Sequence, residues 1–256
     1  MSAATVYLLE WRYEFIRLLR SPGFAIPSLT FPAAFYVLFA LVMSVGGGSR
    51  GGMATYLLAS YGVFGVMGPG LFGFGVGVAI ERSQGLMLLK FASPMPHSAY
   101  FLSKVLMSVT FSALIVASLF TLATVFGGVK LEVGQGMLLA GILLLGAVPF
   151  CALGLAIGSW VDGQAAAPIV NLIYLPMAAL SGLWFPLRVM PESLQTLAWA
   201  LPPFHLNQLA TKTIGMDDGH SIYIHIGALV IYTAAFLWIA AAGLRREKAL
   251  STAQAT

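Results

Sequence analysis

ERSQGLMLLKFASPMPHSAYFLSK (Glu81–Lys104) is a polar island between two long apolar runs. Glu81, Arg82, Lys90 and Lys104 bracket a proline-punctuated segment, SPMP, at residues 93–96. Charges stay out of hydrocarbon unless they meet a partner. The island therefore reads as a loop outside the membrane, shaped as a docking surface for a soluble protein. Everything around it is apolar. The chain of 256 residues is 59% hydrophobic and 9% charged, with mean hydropathy +0.90. A soluble domain carries about 25% charged residues, so this composition excludes one. A net charge of +4, scattered among apolar runs, excludes nucleic acid as a partner. Cys151 is the single cysteine, lies in an apolar run, and reads as a buried, inert thiol.

Crossing the hydrocarbon core takes about 20 apolar residues. Six runs meet that length: Phe24–Val45, Thr55–Ile80, Phe101–Phe126, Gly136–Trp160, Ala165–Pro186 and Ser221–Leu244. GGGSRGG at 46–52 and GGVKLEVGQG at 127–136 separate them as outer turns. VDGQ at 161–164 is so short that the fourth and fifth spans must be antiparallel neighbours. With six spans both termini share one side. That side carries nine of the 13 Lys and Arg residues, including those of the 81–104 island, and the other side carries four. Positive residues collect in the cytoplasm. Both termini and the island are accordingly expected there.

The first 22 residues form a helix of a different kind. At about 100° per residue, Glu10, Glu14, Arg17 and Arg20 share one stripe, with Leu8, Trp11, Phe15, Leu18 and Leu19 opposite. This predicts an amphipathic helix in the inner interface and not a mere extension of the first span, because Tyr7, Trp11 and Tyr13 suit the headgroup zone. Ser21-Pro22 ends it, since a residue before proline is pushed out of the helical region. No signal peptide is expected in these residues, since no short apolar core leads to a small-residue cleavage site. The expected organisation is one all-α transmembrane domain over 1–256: an interfacial helix at 1–22, a six-span bundle at 24–244 and a cytoplasmic tail at 245–256.

No energy-converting site is legible. A phosphate-binding loop needs Gly-Lys before Ser or Thr, and no Gly-Lys dipeptide occurs. Ion-coupled transporters bury ionisable groups at mid-membrane, and the six apolar runs hold almost none. His225 is the nearest, and a lone histidine there reads as a packing residue. His220 and His225 lack a one-face spacing for metal, and His205 beside Asn207 has no nucleophile to complete a catalytic set. A partner ATPase is the better explanation of energy. Two other classes stay open: a secondary transporter or channel, and a non-transporting assembly subunit.

The outer segment Ser181–Ile214 holds two short helices. Pro191 and Glu192 open the first, Leu194–Leu201 is its amphipathic run, and Pro202-Pro203 stop it. A second piece, Phe204–Ile214, follows. Both read as lying in, or re-entering, the outer leaflet, with an ordinary loop as the alternative. Pro186, Pro191, Leu197, Trp199 and Pro202 are the expected residues of an outer gate. Glycines at 68–77 and at 154 and 158 permit close helix approach. A bend of the second span at Pro69 is the competing reading.

Three regions together resemble the ABC-2 type membrane subunit of bacterial ABC exporters. They are the amphipathic N-terminal helix; Glu81-Arg82-Ser83-Gln84-Gly85 with Leu88-Leu89, Ser93-Pro94 and Lys104; and Gly182, Phe185-Pro186, Met190-Pro191 and Pro202. Ser83, Leu86 and Ser103 depart from that pattern, standing where the family has an acid, Thr and Gly. The resemblance implies an inner-membrane permease of two copies, or a heterodimer, working with a separate ATP-binding subunit. ATP and Mg would sit on that subunit, with no cofactor, metal or catalytic residue in this chain. It also implies that Glu81, Gly85, Pro94, Met95, Pro96, His97, Tyr100 and Lys104 form the ATPase-coupling element. Met95, His97 and Tyr100 are the side chains expected to be exposed, with Glu81 and Lys104 as an exposed pair. The substrate expected from the apolar interior is a hydrophobic or amphipathic molecule, such as a drug, lipid or glycolipid, moved outward from the cytoplasm or inner leaflet.

Overall fold

The structure is a computed structural model that describes residues 3–45 and 50–254, with side chains described at 4–40 and 52–246. Among the described residues every regular element is helical. Six helices among the described residues are long and apolar enough to cross a membrane: Pro22–Ala40, Gly52–Ser83, His97–Val125, Val133–Trp160, Gly163–Leu180 and Ile222–Arg246. Residues 46–49 of the expected turn at 46–52 lie outside the described residues.

Helix α1 (Ala3–Leu19) stops before Pro22, where α2 (Pro22–Val45) begins the first span. The second span is built from α3 (Arg50–Gly68), a π-helical segment (Pro69–Val76) and α4 (Gly77–Ser83). Pro69 has no N–H to give the ladder, and a wider turn follows it. Ser108 Oγ donates to the Pro69 carbonyl at 3.2 Å, and the Tyr174 hydroxyl donates to the Phe64 carbonyl at 3.0 Å. These bonds satisfy backbone groups that lipid could not. Gly85, left-handed at φ 72°, turns the chain into α5 (Leu86–Ala92), and α6 (His97–Val125) is the third span.

The fourth span bends at Gly146 between α7 (Val133–Leu145) and α8 (Ala147–Trp160). A Cβ at Gly146 would fall 2.4 Å from Leu206, so the missing side chain there makes room for that leucine. Asp162 caps α9 (Gly163–Leu180), accepting from the Gly163 amide at 2.7 Å, and the fourth and fifth spans are neighbours across this turn. The fifth span ends at Leu180, six residues short of the apolar run. Gly182, at φ 76°, closes it with bonds from its own N–H to Ala179 and from Leu183 to Ala178.

Two short helices follow, α10 (Glu192–Ala198) and α11 (Pro202–Lys212), before α12 (Ile222–Gln254) supplies the sixth span. Pro202-Pro203 do not merely stop α10; they start α11, which is buried from Pro202 to Thr211. The glycine stripes meet each other. A Cβ at Gly154 would lie 2.3 Å from the Gly70 carbonyl oxygen, and one at Gly158 2.4 Å from that of Gly75. Tight packing and a distorted second span thus coexist, because the π segment is the surface that α8 packs on.

Candidate functional site

Where α1, α4, α5 and α6 converge, six charged side chains and a phenol form one network. Glu81 sits at the foot of the second span, and its Oε1 accepts from Lys104 Nζ at 2.9 Å and Arg17 Nη1 at 2.8 Å. Its Oε2 accepts from the Tyr100 hydroxyl at 2.8 Å. Glu14 accepts from Arg17 at 2.7 Å and Lys90 at 2.9 Å, with Lys104 at 3.2 Å. Lys90 also reaches Glu10 at 2.6 Å. Lys104, Glu81 and Glu14 are 0%, 2% and 3% exposed. Three carboxylates balance three cations, so the buried cluster is neutral as a whole. Burial alone would raise the Glu14 pKa, but Lys104, Arg17 and Lys90 hold it down at about 2.

This corrects the expected exposed pair. Glu81 and Lys104 do pair, yet inside the protein, and Lys104 lies in the second turn of α6 instead of ending a helix. The helix of α6 starts at His97, so the charges counted as loop belong to spans. Tyr100, expected as an exposed docking residue, is fully buried, and Met95 is half-buried against Tyr100's cluster. Of the charged stripe, Glu10, Glu14 and Arg17 reach other helices while Arg20 is exposed, and so are Leu8, Tyr13 and Leu19.

Arg82 and Ser83 tie the same foot to the fourth and fifth spans. Arg82 donates to the carbonyls of Gly158 at 3.2 Å and Val161 at 2.7 Å. Ser83 Oγ donates to Asp162 at 2.7 Å and accepts from the Gly163 amide at 2.8 Å. What the loop offers outward is apolar: Leu86, Leu88 and Leu89 of α5 are 41%, 61% and 68% exposed. Pro94, Pro96 and His97 continue that face, and Gly85 provides the turn that presents it. Leu88 and Leu89 were legible only as part of a motif; their exposure comes from α5 being a helix anchored by Met87 below and Lys90 at its side.

Beside the cluster, a groove of about 820 Å³ runs between the first, second and fifth spans. Phe24, Phe31 and Phe35 form one wall, Phe64 and Phe72 a second, and Tyr174 a third, with Trp184 at the far end. Arg17, at its foot, is the one charged residue lining it. Phe31 and Leu175, which line it, are 56% and 43% exposed, so the groove is open sideways.

At the opposite end, the expected gate residues divide. Pro191 caps α10, Leu197 and Trp199 are exposed at 45% and 38%, and Pro186 borders a smaller polar cavity of about 370 Å³. Of the five, Pro202 alone is buried, in α11. That helix carries residues that sequence reading left inert. His205 Nε2 lies 3.0 Å from the Trp199 carbonyl, which can only accept, so Nε2 holds the proton. Nδ1 of His205 then accepts from Nδ1–H of His225 at 3.0 Å. Ser60 of the second span donates to Asn207 at 3.1 Å, and Gln208 donates to Asp218 at 2.6 Å. No sequence spacing announces the His205–His225 pair, which bridges two helices. His220 meets Trp199 edge-on, with ring centroids 4.8 Å apart, and Lys212 and Asp217 pair close by.

Burial lowers the His205 pKa, opposed by its bond to Trp199. Folded His205 therefore refuses a proton that the unfolded chain accepts below about pH 6.5. Stability is fully present above that pH and falls as pH drops through it, by at most about 1.4 kcal/mol per pH unit for this one group. The unfolding midpoint should decline between pH 7 and 5, and His205→Gln should flatten that decline. An unchanged slope in the variant would remove His205 as the cause.

The family described as ABC-2 type transporter matches residues 5–214, from the start of α1 to just past α11. The charge cluster, the groove and both short outer helices fall within that match. YvfS of Bacillus subtilis (strain 168), named as a transport permease, is 28% identical over 237 residues. The alignment covers 93% of this chain and 96% of that protein.

Proposed function

The chain belongs to the ABC-2 type transporter family, and on that premise we propose that it is the membrane-spanning subunit of an ATP-driven exporter. It acts as one transmembrane domain over 1–256, and its substrate is hydrophobic or amphipathic. ATP and Mg are held by a separate ATP-binding subunit, and hydrolysis happens there. The observation that carries this reading is the α5 face: exposed leucines on a short helix whose base is clamped by buried ion pairs. Contiguous exposed apolar surface marks an interaction site, and a clamped base lets a push on α5 reach the second span, the third span and α1 together. Membership of the family supports a second copy, or a paralogue, beside this chain.

Leu88→Asp with Leu89→Asp should weaken association with the ATP-binding subunit by tenfold or more, since two anchors of an interface core are lost. Pull-down in mild detergent, with ATPase activity read in the same sample, checks it. Wild-type association in the double variant would remove α5 as the coupling element. A secondary transporter would show no such partner at all.

The nine-to-four distribution of Lys and Arg supports an inner-membrane placement with both termini in the cytoplasm. Exposed Leu8, Tyr13 and Leu19 support α1 lying on the membrane surface. With Cys151 buried and silent, Ser193→Cys should react with an impermeant thiol reagent in whole cells and Ser93→Cys should not. The reverse pattern would invert the orientation.

A further inference from the structure

Arg17 is shared by two sites. It lines the apolar groove, and it also borders the cavity over the charge cluster. Its Nη2 lies 3.6 Å from where a Cβ on Gly77 would sit, which places the guanidinium against the second span at the groove's foot. Glu14 and Glu81 each take one of its terminal nitrogens, at 2.7 and 2.8 Å. Those two carboxylates are buried, but the Arg17 side chain is 44% exposed. A guanidinium has five N–H donors in a planar fork suited to phosphate or carboxylate. Two ion pairs do not exhaust it. Above it the groove is walled by aromatic and aliphatic groups over a volume in the range of ligand sites, about 300–1,000 Å³. Ser21 is the polar neighbour at the same level.

We propose that this groove takes an acidic amphiphile of the membrane-lipid class, with its anionic headgroup on Arg17 and its alkyl chain running past Phe24 and Phe31 toward Trp184. The inference rests on the exporter reading above and narrows its substrate class. Arg17 is the one ionisable side chain that reaches the groove, its carboxylate partners lie buried on the cluster side, and its remaining N–H donors favour an acceptor-rich anionic headgroup that enters through the sideways opening. A zwitterionic lipid brings an ammonium group for which the groove lining holds no carboxylate.

Trp184, at the far end of the groove, is the reporter. The purified chain in nanodiscs receives phosphatidylglycerol or phosphatidylcholine carrying brominated acyl chains, which quench nearby indoles. The difference between wild type and Trp184→Phe isolates the groove's share from that of lipid around the other tryptophans. That share should appear at about tenfold lower brominated phosphatidylglycerol than brominated phosphatidylcholine. Arg17→Gln should erase the preference while leaving quenching by both, and Arg17→Lys should keep it. Equal quenching by the two lipids in wild type overturns the proposal without reference to any variant. So does a preference that survives in a folded Arg17→Gln protein. Should Arg17→Gln not fold, Ser28→Phe, which fills the groove away from the ion pairs, must abolish the Trp184 share, and retention overturns the proposal. The ATP-binding subunit takes no part in this measurement, so its failure leaves the exporter reading standing, and failure of the α5 pull-down leaves this one standing.

Discussion

Lys104→Met should be among the most damaging single changes in the chain, costing about 3–5 kcal/mol. Lys104 is fully buried, with Glu81 at 2.9 Å and Glu14 at 3.2 Å. Methionine matches its length, so packing is nearly kept, and what changes is charge. Three carboxylates would then face two cations, with Glu14 and Glu81 both buried. Breaking a buried pair from one side leaves an uncompensated charge, which is the costly outcome. The ring of Tyr100, 4.9 Å from Lys104 Nζ, also loses its cation. Because Glu14 belongs to α1 and Glu81 to the second span, the release should appear first as faster amide exchange in α1. Adding Glu81→Gln to Lys104→Met removes the excess charge and should recover part of the loss. Thermal unfolding in detergent and hydrogen exchange read both effects. A shift under about 1 kcal/mol for Lys104→Met would mean that the cluster is hydrated and does not clamp α1.

That cluster also marks the boundary of what the sequence discloses. Six spans were legible because hydrocarbon forces long apolar helices, and prolines and glycines punctuate them. Helix α1 was legible as a stripe of Glu10, Glu14 and Arg17. Periodicity tells which residues share a face, and nothing in it tells what the face meets. Here the answer lies at Glu81, Lys90 and Lys104, 64 or more positions away in sequence from Arg17. The apolar-run count also starts the third span at Phe101, so Tyr100 fell in a loop and Lys104 at a helix end, when the helix had already begun at His97. The α5 leucines show the same limit: a hydrophobic pair inside a polar island looks buried until the turn at Gly85 is seen. The histidine pair was illegible for another reason. His205 and His225 are brought together by the depth to which α11 enters the bundle, and that depth is set by Leu206 filling the space over Gly146.

Gly154→Val should disrupt the packing of the fourth span on the second, and Gly141→Ala should have the opposite sign. Both glycines lie in helices, where a side chain ordinarily stabilises by up to about 1 kcal/mol. Around Gly141 nothing lies within 4 Å of an added Cβ, so the gain is retained. At Gly154 the added Cβ would stand 2.3 Å from the Gly70 carbonyl oxygen and 3.2 Å from the Gly75 Cα. Those neighbours are backbone, and cannot rotate away as a leucine tip could. Overpacking a core costs about 1–3 kcal/mol when side chains can shift; with backbone on both sides and two further methyls from valine, about 3 kcal/mol or more is expected. The spans can separate only by moving the π segment at Pro69–Val76. That movement would strain the contact from Ser108 to Pro69 and shift the foot of the second span, where Arg82 holds the end of α8. Damage in mid-bundle should therefore reach the α5 face, and the variant should lose both thermal stability and binding of the ATP-binding subunit. Size-exclusion profiles and unfolding midpoints of the two glycine variants, taken in parallel, decide it. A Gly154→Val protein as stable as wild type would mean that the second and fourth spans do not meet backbone to backbone.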